Sequence, residues 1–347
     1  MKKKKASTGR RTLIVVAVWA VAVAVVALFG RYVLRHQQLP IDRAAVVCVP
    51  TGSTYEALCD TLRAHNCIAD EAMFQSMARV RKLNKHVKPG RYEFHPGMST
   101  MRVVNKLYYG NQDAMKITIG RHRTKESLCR FVGSKLEMSS DSLLAVLNSE
   151  AITAQYGFTP TTILGIFVQN TYDVYWNVTP EKFLERMAKE YDRYWTGVRK
   201  GECDALGLTP QEVVALASIV EEETNCDSEK PTIASVYLNR LRKGMPLQAD
   251  PTVKYAVGDF TLRRILHRHL AVESPYNTYL HRGLPPGPIC LPGTASIDAV
   301  LANMKTDYLY FCAKEDFSGR HNFAATPAQH AANAQRFHQA LDARGIK

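Results

Sequence analysis

One segment constrains the fold of this chain more than any other: Thr209 to Thr224, TPQEVVALASIVEEET. Thr209, Pro210 and Glu212 read as a helix start. They supply an N-cap hydroxyl, proline at the first helical position and a glutamate that closes a capping box. At about 100° per residue, Val213, Leu216, Ala217, Ile219 and Val220 gather on one face, which needs a core to receive it. Of the three glutamates at the end, Glu223 lies nearest that face, Glu221 sits at its flank and Glu222 points roughly opposite. Burial raises the pKa of a glutamate, so it can hold a proton near neutral pH and pass it to a leaving group. The same spacing also suits an acidic helix end in solvent, and the segment alone does not separate the two.

The N-terminus constrains topology. Lys2, Lys3, Lys4, Lys5, Arg10 and Arg11 precede an uncharged run from Leu13 to Phe29, and Arg31 and Arg35 follow it. At a helical rise the run covers about 26 Å, close to the lower limit for a bilayer core. A single transmembrane helix over residues 13–30 is expected, with residues 1–12 as a cytoplasmic basic arm. Everything after about residue 35 then lies outside the cytoplasmic (inner) membrane. A cleaved signal peptide is the competing reading, but no clean cleavage site follows the run.

The six basic residues of the arm supply nearly half of the formal net charge of +13. The remaining excess suits work near polyanionic material such as a membrane surface or a wall polymer. Nucleic acid is a poor fit, since no basic run is interleaved with aromatics. The eight cysteines contain no C-x-x-C pair, which argues against zinc and against a thioredoxin-like motif. Their even number permits disulfides in an oxidising compartment, Cys59 with Cys67 among them, but a chain of this length can bury a core without any.

After a polar connector (HQQLPIDRAA, residues 36–45), a small α/β unit is expected over residues 45–112. It comprises a strand at Val46 to Val49, a helix opened by Gly52 and Ser53 with Glu56 as box partner, and a turn and strand from Lys88 to Phe94. A helix capped by Ser99 follows, ending at Gly110, with Met101, Val104, Leu107 and Tyr108 as its buried stripe. Residues 113–347 form the larger part. A strand at Met115 to Ile119 leads to helices at Ser127 to Leu136, Ser140 to Asn148 and Pro180 to Tyr194, with Ile163 to Trp176 extended. Beyond the central helix come a helix at Lys230 to Arg242, a loop-rich stretch from Gly244 to Gly293, a strand at Tyr308 to Ala313 and a helix at Pro327 to Leu341. The fold class is α+β in two globular parts.

The loop-rich stretch carries Leu247-Gln248-Ala249-Asp250-Pro251, Ser274-Pro275-Tyr276-Asn277-Thr278-Tyr279 and Gly283-Leu284-Pro285-Pro286-Gly287-Pro288. Loops stiffened by proline and glycine and bearing amides, hydroxyls and aromatics suit a sugar groove, although the same loops can simply connect elements. With Ala217 to Thr224, Ala234 to Leu241, Tyr308 to Phe311 and His321-Asn322-Phe323 in the same order, the chain resembles the endolytic murein transglycosylases, the YceG-like family of membrane-anchored wall enzymes. Lys88-Pro89-Gly90-Arg91-Tyr92 resembles the LysM-like peptidoglycan-binding module of that family. The resemblance covers nearly the whole chain.

What the resemblance implies is cleavage of the bond between N-acetylmuramic acid and N-acetylglucosamine in nascent peptidoglycan, with the muramyl C6 hydroxyl as nucleophile and a 1,6-anhydro end as product. The family's catalytic glutamate falls on Glu223, in agreement with the helical-face argument; Glu221 is the runner-up. A hydrolase needs two carboxylates flanking the bond, whereas here one serves as acid and then base. Gln248, Asp250, Tyr276, Asn277, Thr278 and Tyr279 are the expected substrate-binding residues, with the alternative for Asp250 that it caps the turn before Pro251. No cofactor or metal is expected. Penicillin-binding synthases as partners follow from the family alone. Gln169-Asn170-Thr171 departs from the family's Pro-Asp-Thr, which removes a carboxylate from that position.

Other classes fit less well. No H-E-x-x-H occurs, and His267 and His269 are badly spaced for zinc; His321 and His330 suit a structural role near the groove. No G-x-S-x-G or S-x-x-K stands out with partners. A non-catalytic, membrane-anchored peptidoglycan-binding scaffold and a glycosidase that uses water are the rival readings.

Overall fold

The computed structural model describes residues 5–36, 38–262 and 264–345. Lys2, Lys3 and Lys4 of the basic arm lie outside the described residues. Helix α1 runs Lys5–His36, and its apolar stretch is Leu13–Leu28. Among the described residues no single helix is long and apolar enough to cross a membrane. Leu13, Trp19 and Leu28 are all exposed. The described residues divide into two compact units: one up to Met115 together with Val174–Asn177, the other Lys116–Asp173 and Val178 onward. Helices and small two-stranded sheets make an α+β protein.

The first unit holds β1 (Ala45–Val49), α2 (Tyr55–Ala64), α3 (Glu71–Val80), β2 (Gly90–Phe94) and α4 (Thr100–Tyr109). β1 and β2 are antiparallel with Val47 opposite Tyr92. Their period-two alternation sends Val47, Val49, Tyr92 and Phe94 into a core with Leu58, Leu62, Phe74, Val104 and Leu107. Gly90 is required where it stands: its φ is +148°, and a Cβ there would meet Gln112 Oε1 at 2.6 Å. Two local expectations are corrected. Helix α2 is capped by Thr54, whose side chain accepts from Ala57 N–H, because the Ser53 hydroxyl is spent on Pro50 O at 2.7 Å. In α4 the buried residues are Thr100, Val103, Val104 and Leu107, while Met101 is exposed, so the stripe is rotated from the expected one. Helix α3 was not anticipated.

In the second unit, β3 (Met115–Ile119) is followed by α5 (Lys125–Gly133), α6 (Ser140–Asn148), α7 (Glu150–Thr153) and β4 (Asn170–Val174). Next come α8 (Pro180–Tyr194), α9 (Val198–Leu206), α10 (Pro210–Glu223), α11 (Lys230–Arg242), α12 (Asp250–Val257) and α13 (His267–Leu270). The chain closes with α14 (Thr294–Leu301), β5 (Tyr310–Ala313), β6 (His321–Ala324) and α15 (Pro327–Ala343). β3 pairs with β4, and β5 pairs antiparallel with β6. The capping box of α10 forms as expected from Thr209 and Glu212.

Helix α10 is the axis of this unit, touched by α9, α11, α12 and α14. All eight residues from Val213 to Val220 are buried, so the helix is enclosed all round rather than along one face. Expectation and structure also differ at Ile163 to Trp176, which opens with a buried 3-10 turn (Ile163–Ile166) before β4. The stretch 244–293 is not all loop either, since Asp250 opens α12 with Pro251 in its first turn. Cys59 and Cys67 are both free thiols, as are Cys129, Cys203, Cys226, Cys290 and Cys312.

Candidate active site

The C-terminal turn of α10 presents three glutamates to three different environments. Glu221 turns toward α11 and α14: Lys230 Nζ donates to its Oε2 at 3.1 Å, and the Ser296 hydroxyl donates to the same oxygen. Glu222 turns the other way, and the Arg123 guanidinium grips it, Nη2 to Oε2 at 2.7 Å and Nε to both oxygens at 3.1 Å. Its side chain is only 10% exposed. The acidic helix end is therefore not a solvated cluster, because cations on either side hold two of its members.

Glu223 takes neither of these partners. Its Oε1 accepts a 2.5 Å hydrogen bond from the Tyr237 hydroxyl on α11. Burial, with smaller help from the negative charges of Asp250 and Glu222, pushes its carboxyl up to about 7; the Tyr237 hydrogen bond and Arg240 oppose the rise. Glu223 is half-buried, with enough surface to face solvent-filled space. It contributes to the walls of two clefts. One, of about 510 Å³, is lined by Arg123, Glu222, Asp250, Lys254 and Arg264 among others; the second, of about 550 Å³, by Cys226, Lys314, Arg320, His321 and Phe337 among others. Glu223 is the residue the two linings share.

The other expected site residues separate into three groups. Asp250 lines the first cleft with Glu223, and Tyr279 supports it through a 2.6 Å hydrogen bond from its hydroxyl. Gln248 is exposed in a left-handed conformation (φ +51°) just before α12, its N–H donating to Thr278 O. Asn277 and Thr278 do not reach the clefts. Asn277 is fully buried, donates its amide to Leu270 O and Val272 O and accepts from Tyr279 N–H. Thr278 is 1% exposed and bonds Ala249 N–H and the Thr252 hydroxyl. Direct substrate contact by this pair is thus corrected: buried polar groups must find partners inside, and these bind the loop together. Tyr276 is half-buried against Tyr255, ring centroids 4.6 Å apart, and is absent from both cleft linings among the described residues.

Arg123, Lys230 and Tyr237 escaped the sequence reading. Tyr237 lies in the Ala234 to Leu241 segment, but helical periodicity there gives no reason to prefer it over Asn239 or Arg240. Arg123 is 99 residues from Glu222, and no local pattern links them. Among the described residues no group of three or more His, Cys, Asp or Glu is placed to hold a metal. His321 lines the second cleft with Nδ1 3.1 Å from Glu229 Oε2, and His330 stacks on Tyr310. At the departing segment, Gln169 donates its amide to Leu291 O at 2.7 Å.

The YceG-like family model matches residues 47–336. A Bacillus subtilis protein named endolytic murein transglycosylase is 30% identical over 319 residues, 87% of each chain. A Streptococcus pneumoniae protein of the same name is 26% identical over 82% of this chain, which spans only 58% of that relative. Among solved structures, a YceG-like protein of Listeria monocytogenes superposes with a TM-score of 0.56 at 27% identity, covering 84% of this chain and 99% of the other. With the family match running from β1 to α15, the chain belongs to the YceG-like family.

Proposed function

We propose that this protein is an endolytic lytic transglycosylase of peptidoglycan, cleaving the MurNAc–GlcNAc bond within glycan strands and leaving a 1,6-anhydro-MurNAc end, with Glu223 as the one group that moves the proton. The observation that carries the reading is a carboxyl pushed up to about 7 on the wall shared by two clefts. A proton donor near neutral pH is what a glycosidic oxygen needs in order to leave. Clefts on both sides of it suit a strand that continues in both directions, as endolytic cutting requires.

In the first half-reaction, Glu223 gives its proton to the bridging oxygen, and the GlcNAc side departs with a free hydroxyl. Positive charge develops at the muramyl C1, and the Asp250 carboxylate across the first cleft favours it electrostatically. In the second, the muramyl C6 hydroxyl closes on C1 and its proton returns to the Glu223 carboxylate. No water enters, and the enzyme ends in its starting protonation state. Proximity of C6 to C1 in one ring takes the place of a second catalytic carboxylate. Asp250 positions substrate at the first cleft with Tyr279 holding its carboxylate, Gln248 contributes from the exposed turn before α12, and Tyr276, Asn277 and Thr278 keep the neighbouring loop in shape.

Residues 1–12 are read as a cytoplasmic arm and α1 as a single-pass anchor, supported by the exposed apolar stretch Leu13–Leu28 between basic ends. The unit built on β1 and β2 is read as a LysM-like peptidoglycan-binding module, and the second unit as the catalytic domain outside the inner membrane. Penicillin-binding synthases are the natural partners, since they make the strands being cut.

The experiment is product analysis by mass spectrometry on purified peptidoglycan, with wild type and Glu223→Gln in parallel. Wild type is expected to release anhydro-ended fragments, and Glu223→Gln to lose at least about a hundredfold in rate. Products that carry an added water would convert the reading to hydrolysis. No release by wild type would leave a wall-binding scaffold.

A further inference from the structure

We infer that Tyr237 is the positioning residue of the Glu223 proton transfer: its hydroxyl fixes Oε1 as an acceptor and leaves Oε2 as the oxygen that gives and takes back the proton. The inference rests on the reading of Glu223 as general acid and base. Its own basis is geometric. A proton on Oε1 would make that oxygen the hydroxyl of the acid, a much poorer acceptor than the carbonyl oxygen, and would weaken the 2.5 Å donation from Tyr237. While that bond stands, the proton belongs to the other oxygen.

Tyr237 has little freedom to do anything else. It is 2% exposed on α11, and its ring meets Phe311 edge to face at 5.9 Å. Burial and the Glu223 charge hold its phenol well above the usual range, so it remains a donor throughout neutral pH. Arg240, three residues along the same helix, is committed to Leu247 O and Leu309 O at 2.7 Å each, and does not compete for the carboxyl.

The consequence is a division of labour. Burial and the charges of Asp250 and Glu222 favour the neutral acid, whereas the Tyr237 hydrogen bond favours the carboxylate. Without Tyr237 the group would hold its proton too firmly to act as a good donor and would be ionised too rarely to act as base. The other charged groups around Glu223 are Arg240 on α11, Arg123, Lys254 and Arg264 in the first cleft, and Lys314, Arg320 and His321 in the second. All of them stay in place when the phenol oxygen alone is removed.

The test is the pH profile of kcat/KM for anhydro-product release by wild type and Tyr237→Phe, together with a carbon-13 NMR titration of the Glu223 carboxyl in each full-length protein. Phenylalanine keeps the ring that packs on Phe311. The expected result is that the carboxyl titration and the alkaline limb of the profile both move up by about one pH unit, the scale of one hydrogen bond to a carboxylate. kcat should drop about tenfold with KM little changed. A variant that loses activity with both titrations unmoved would show a merely structural tyrosine and overturn the inference. Should Tyr237→Phe fail to fold, 3-fluorotyrosine placed at 237, a stronger donor, must lower the titration, and no shift overturns the inference equally. The NMR titration reads Tyr237 even if wild type releases no anhydro products, an outcome that defeats the functional reading instead.

Discussion

At the scale of single residues, the site is organised by where each carboxylate can find a partner. Glu221 has Lys230 and Ser296, and Glu222 has Arg123. Glu223 has a hydrogen-bond donor but no cation in direct contact among the ion pairs of the described residues, and its pKa rises accordingly. This has a thermodynamic signature. A carboxyl raised to about 7 from an unfolded value of about 4.3 binds its proton more tightly when folded. Its contribution is fully present below about pH 4.3 and is lost as pH rises through 7. Glu223→Gln does not titrate, so its stability relative to wild type should grow between pH 4 and pH 8 by about 2 kcal/mol, allowing for partial exposure. Urea denaturation at the two pH values measures this, and a difference that stays flat would mean the carboxyl is not desolvated.

At the scale of elements, the end of α10 is clamped from both sides. Lys230 opens α11 with its side chain 7% exposed, pairing with Glu221 at 3.1 Å and with Asp227 at 2.8 Å. Truncating the cation strands Glu221, itself 15% exposed, beside an apolar helix. Lys230→Met is therefore expected to cost about 3 kcal/mol in urea denaturation, and combining it with Glu221→Gln should recover much of that. An equal loss in single and double variants would show that the pair is not coupled. The helix start of α10 was legible because a capping box is written in adjacent residues. The extent of its burial was not, since helical periodicity reports one face and says nothing of what covers the others.

For the whole molecule, the functional prediction concerns α1. Its apolar stretch is exposed in the described protein, which is costly in water and favourable in lipid. Deleting residues 1–36 should move the protein from the membrane fraction to the soluble fraction, with the cleavage products on dissolved glycan unchanged. Retention in the membrane fraction would point to a different anchoring surface. Such fractionation also separates anchoring from the wall binding proposed for the unit built on β1 and β2, since that unit remains in the shortened chain.

The sequence by itself determined the local features: the cap and length of α10, the pairing-competent strands of the first unit and the apolar stretch after a basic arm. These depend on residues within a turn or two of each other, where spacing translates directly into direction. Only the tertiary structure decided that Asn277 and Thr278 face inward, that Asp250 opens a helix opposite Glu223, and that Arg123 and Tyr237 flank the acid. The bonds of Tyr237, Thr278 and Arg123 join residues from 14 to 99 positions apart. Such distances are closed by packing of whole elements around α10, and no local pattern records which side chain will be waiting on the other side.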